Sequence, residues 1–168
     1  MTRARLYPPS TPESLCVNDA LDQLARKLAL DAPAQDGLRL RFGLACVQRV
    51  RHLLEDAAVV DCFDVLARFA SGGSTRAEVD AAAAQAARLA NHHPGSRSLD
   101  GVGHAAVSAS YAVANALAGR ALQAAEYAAY ASVYGEGGYG AVQQRESFQP
   151  EFDWQLDCLR RLATQAVG

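Results

Sequence analysis

Apolar residues recur at three- and four-residue intervals along almost the whole chain, and no stretch alternates apolar with polar as a half-buried strand does. That one periodicity restricts the fold to packed helices. Alanine is the commonest residue and β-branched residues are sparse, which raises helix propensity over most of the chain. At 168 residues, half of them hydrophobic, the chain suffices for one domain around one sizeable core. The expected fold class is all-α, a compact bundle of six or seven antiparallel helices spanning 13–168. Residues 1–12 hold three prolines and read as an irregular arm.

The punctuation places the helices. Pro12 and Glu13 open a first helix to about Leu30, and Asp31 to Gly37 form a loop broken by Pro33. A second helix covers about 38–56, with Phe42, Ala45, Cys46, Val50, Leu53 and Leu54 in one stripe. A third covers 61–71, ended by Gly72-Gly73. Thr75 and Glu78 match a capping box that opens a fourth, ended by Pro94-Gly95. Ser98 or Asp100 caps a fifth over 99–117, a sixth runs to Tyr134, and a seventh covers 151–165. Between the last two, 135–149 holds four glycines and reads as a loop.

Composition excludes several functions. A formal net charge of −2 gives no basic footprint for nucleic acid. No run of eighteen apolar residues predicts a membrane span, and the basic N-terminus lacks the apolar stretch of a secretory signal. Cys16, Cys46, Cys62 and Cys158 form no Cys-x-x-Cys pair, which suits buried thiols in a cytoplasmic protein. No Gly-x-Ser-x-Gly elbow, phosphate-binding loop or His-Glu-x-x-His zinc motif is present. No cofactor is expected.

Two polar groups stand out against the alanine background. Arg49 falls within the stripe of the second helix, where a guanidinium needs a partner such as Glu126 or Asp100. His52 and Glu55 follow it at helical spacing. On the fifth helix Asp100, His104, Tyr111 and Asn115 share a narrow band opposite Val102, Ala105, Ala106, Ala109, Val113 and Leu117. Together Arg49, His52, Glu55, Asp100, His104 and Tyr111 make a candidate polar pocket. Metal binding is a weak alternative there, because His52-x-x-Glu55 occurs once and in the reverse of the di-iron order. The second group surrounds Trp154, the only tryptophan, which falls off the inward stripe of Phe152, Leu156, Leu159 and Ala163. Trp154 with Glu151, Asp153, Glu146 and Tyr139 forms a candidate partner-binding surface, since exposed tryptophans are enriched at interface hot spots.

These residues carry a family resemblance. Ala45-Cys46, Arg49-Val50, His52-Leu53 and Glu55 resemble the first long helix of the all-α immunity proteins found with bacterial polymorphic toxins. Arg68-Phe69 and Gly72 resemble the end of its next helix. Gly103-His104-Ala105 with Tyr111 to Ala114, continued by Ala124-Ala125 and Tyr127-Ala128, resembles its alanine-rich centre, and Trp154-Gln155 with Leu159 its closing segment. The resemblance spans about residues 38–162. Phe69, Gly73 and Asn115 depart from the pattern, where the family carries tryptophan, an acid and histidine. The resemblance implies a cytoplasmic protein, without enzymatic activity, that binds and neutralises a cognate toxin. The alternative reading is a small helical enzyme or metal- or ligand-binding protein using Arg49, His52, Asp100 and His104. The alanine-rich faces also suit a homodimer.

Overall fold

The computed structural model describes residues 17–166, and every regular element in that range is helical. The expected arm at 1–12, the helix opening at Pro12-Glu13 and Cys16 lie outside the described residues. Seven α-helices follow in order: α1 (Asp19–Lys27), α2 (Asp36–Gln48), α3 (Ala57–Ala70), α4 (Arg76–Asn91), α5 (His104–Leu117), α6 (Ala121–Val142) and α7 (Gln149–Gln165). Short 3₁₀ turns precede α2 and α7 and follow α2. The bundle expected from the periodicity is the fold observed.

Local chemistry sets most of the ends. The Asn18 side chain caps α1 and Asp56 caps α3. Thr75 and Glu78 form the capping box of α4 in both directions, Glu78 Oε2 accepting from the Thr75 amide and Thr75 Oγ1 from the Glu78 amide.

At the centre lies α5, buried on nearly every side. The helices α2, α3, α4 and α6 all pack against it; of the expected polar band, His104, Tyr111 and Asn115 are the part-buried residues of the helix, while Asp100 lies ahead of it. Small side chains make this crowding feasible. A Cβ on Gly43 of α2 would lie 3.1 Å from Cβ of Ala116, so the two backbones approach more closely than larger residues allow. Alanines of α5 and α6 fill the hairpin that these helices form across Ala118–Arg120. Phe42, Phe63, Leu66, Val79, Leu117 and Leu159 supply the bulk of the main core. A second cluster of Ala129, Val133, Val142, Phe148 and Phe152 seals the end where α6 meets α7.

Several boundaries differ from expectation, among them the openings of α1 at Asp19 and of α3 at Ala57, each set by the cap before it. The second helix ends at Gln48, because the chain turns into a 3₁₀ segment at Arg51–Leu53. The fifth begins at His104 rather than Leu99. The sixth continues through the glycine-rich stretch to Val142, with one break at Gly138 (φ 61°, ψ −147°). Four glycines signal a loop in sequence, but packing of Gly135 against Leu53 and Ala105 favours continued helix there.

Candidate functional site

Two polar assemblies form where distant segments meet. The first joins the loop before α5 to the break in α6. Gly138 adopts a left-handed φ, and a Cβ there would overlap the carbonyl oxygen of Asp100. The break turns the Tyr139 amide outward, and it donates to that same carbonyl at 2.7 Å. Gly101, also at positive φ, lies under the Tyr139 ring, where a Cβ would come within 2.7 Å of Cγ. The Tyr139 hydroxyl and His104 Nε2 hydrogen-bond at 2.6 Å. The His104 ring also contacts the rings of Tyr134 and Tyr139, with centroids 5.4 and 5.3 Å away. From there aromatics run inward through Tyr130 to Phe148 and Phe152 in the second core cluster. Burial, and then the neighbouring Tyr139, push the Tyr134 hydroxyl above the ordinary tyrosine range.

The loop is folded upon itself. Asp100 Oδ1 accepts from the Val102 amide, and Ser98 Oγ from the Gly103 amide. Both residues expected to cap the fifth helix thus bond to amides just ahead of it. What this arrangement exposes is apolar. Leu99 is fully exposed, Val102 38% and Tyr139 45%, and these are the exposed large hydrophobic residues among those described. Scattered apolar residues at a surface are ordinary; these three fall within one junction of loop and helix break.

The second assembly joins α2 to α7. Arg49, at the C-terminal end of α2, donates from Nε to both Glu151 oxygens at 3.0 Å and from Nη2 to Oε2 at 2.9 Å. Its guanidinium lies over Trp154, 4.2 Å from the ring centroid. The Arg49 side chain is 40% exposed and that of Glu151 only 6%. The partner of Arg49 is therefore Glu151, not Glu126 or Asp100. Glu151 sits in the first turn of α7, where the helix dipole also favours a carboxylate.

The expected polar pocket does not assemble. His104 and Asp100 meet at the Tyr139 junction, and Arg49 is committed to Glu151. Tyr111 donates to Asn91 Oδ1 at 3.1 Å and stacks on Tyr127. His52 and Glu55 lie exposed on the 3₁₀ turn and the extended residues after it, so they share no helix face. Among the described residues no three His, Cys, Asp or Glu side chains converge as a metal site.

The expected partner surface divides as well. Tyr139, Glu146 and Asp153 are exposed, Asp153 accepting from Gln149 Nε2 at 2.7 Å. Trp154 is half-buried against the main core beneath Arg49, and Glu151 is buried, which removes it from that surface. Leu99, Val102 and Gly138 were not legible as site residues. The signal for Leu99 and Val102 is that they are apolar residues within the glycine- and serine-rich stretch after Pro94, and for Gly138 it is the glycine run that begins at Gly135.

Cys46, Cys62 and Cys158 are free and buried. Burial pushes all three thiols up, Cys46 furthest, with Cys158 and Glu151 adding to the effect there. Thiols held protonated are poor nucleophiles. In an open groove lined by α1, α6 and α7, burial and then the like charge of Asp22 raise the Glu126 carboxyl. Among the described residues, no helix is long and apolar enough to cross a membrane.

No family model, curated protein or solved structure matches the chain.

Proposed function

We propose that this protein is a cytoplasmic immunity protein that binds a bacterial toxin and neutralises it by direct protein–protein contact. The observation that carries this reading is the junction at Tyr139, where Leu99, Val102 and Tyr139 stand exposed together on a loop tied by polar bonds. An apolar centre held in a fixed shape limits the ordering cost of association. Exposed charges lie close by in the chain: Arg97 and Asp100 flank Leu99, and Glu136 and Glu146 bracket Tyr139. Such a rim is the usual setting of a protein interface. The resemblance to the toxin-associated all-α family supplies the identity of the partner. The protein needs no chemistry of its own for this task.

The test is growth rescue. A toxic product encoded beside this gene is induced with and without the protein, and the complex is isolated and its affinity measured. Rescue with a stable complex is expected. The double substitution Leu99→Ser, Val102→Ser should weaken the complex tenfold or more while lowering thermal stability only slightly, because Leu99 is fully exposed and Val102 lies outside both core clusters. Undiminished affinity in that variant removes the junction as the contact surface. Absence of both toxicity and complex formation would shift the reading to a helical enzyme or ligand-binding protein, for which His104 and Asp100 beside Tyr139 are the surviving polar group.

A further inference from the structure

Tyr139 fastens the loop of residues 96–103, and the first residue of α5 that follows it, to α6 by three contacts of different kinds. Its amide holds the Asp100 carbonyl, its ring covers Gly101, and its hydroxyl meets His104. The other hydrogen bonds of this loop run within it or to the first turn of α5: Ser96 to Ser98, Ser98 to Gly103, Asp100 to Val102, and the His104 and Ala105 amides to Gly101 and Val102. Such bonds preserve the loop's internal shape but do not fix it against α6. The fastening also depends on two backbone conformations that favour glycine, at Gly101 and Gly138. The exposed Leu99 side chain contributes no burial to hold the loop down.

We infer that Tyr139 is a positioning residue for partner binding, a clasp that holds the 96–103 loop against α6 so that Leu99 and Val102 face the partner in one arrangement. This inference rests on the partner-binding reading above, and it makes one further claim. The loop can be released while the bundle stays folded, since none of the clasp contacts involves the main core. Binding to a fastened loop avoids the loss of affinity incurred when only a fraction of molecules is competent.

Two substitutions test this. Tyr139→Phe removes the hydroxyl bond and keeps the ring. Gly101→Ala drives a Cβ into the ring and strains the backbone, yet deletes no contacting side chain. Amide hydrogen exchange of the free protein is measured first. Residues 96–103 should exchange roughly fivefold faster in Tyr139→Phe, as expected for one lost hydrogen bond, and faster still in Gly101→Ala. The amides of α2 and central α5 should be unchanged in both. Toxin affinity should then fall tenfold or more in Gly101→Ala. Unchanged loop exchange in both variants overturns the clasp, whatever the partner. Faster exchange with full affinity in Gly101→Ala overturns the positioning role. A protein with no toxin partner defeats the immunity reading, and exchange alone then decides whether the clasp exists.

Discussion

The Arg49–Glu151 pair and the Tyr139–His104 pair are built alike and act differently. Each ties two segments distant in sequence, and each sets a polar bond against an aromatic ring. In the first the carboxylate is buried and the ring is packed into the main core. In the second the tyrosine is half exposed, next to a loop whose leucine faces solvent entirely. Burial makes the first a structural joint whose loss weakens the whole bundle. Exposure makes the second a local fastening whose loss alters one surface. The depth of burial separates the two cases.

The comparison breaks most readily at its buried end. Arg49→Ala strands the Glu151 carboxylate in a site only 6% exposed, and denaturant unfolding should show a loss of about 3 kcal/mol. Glu151→Ala leaves instead a guanidinium that is 40% exposed and can rehydrate, so its cost should be smaller, about 1.5 kcal/mol. Equal costs, or the reverse order, would mean that the pair is not asymmetrically buried.

Gly138→Ala addresses the exposed end with a backbone change. The new Cβ meets the Asp100 carbonyl at a φ of 61°, and thermal unfolding should report a loss of about 2 kcal/mol, or less where the loop lifts away to relieve it. A neutral outcome would show that the break in α6 imposes no constraint.

The smallest effect belongs to Asp153→Ala. This carboxylate is exposed and accepts from Gln149, so stability should change by less than about 0.5 kcal/mol. Toxin affinity in this variant then indicates whether the contact surface extends from Tyr139 to the face of α7. Among Glu151, Asp153 and Trp154, Asp153 is the residue that can be tested for binding without disturbing a buried contact.

Much of the fold was legible in residue order. The capping box at Thr75 and Glu78 and the helical period of α3 and α4 read directly, because local hydrogen bonds and periodicity act over a few residues. The candidate site was far less legible. A helical wheel projected Asp100 and Val102 onto α5, and His52 and Glu55 onto α2, but both helices stop short of those positions. It placed Glu151 on a surface, since nothing within four residues of it reveals an arginine 102 positions away.

By itself the sequence determined that the chain is helical, that its many alanines favour that state, and that Thr75 and Glu78 would cap α4. These follow from backbone propensity and side-chain size, which each residue carries with it. Only the tertiary structure decided which polar groups were buried and which were presented. It committed Arg49 to Glu151, fastened Tyr139 over Gly101, and left Leu99 in solvent. Burial and long-range pairing are properties of the assembled helices, because desolvation depends on what the rest of the chain places around a group.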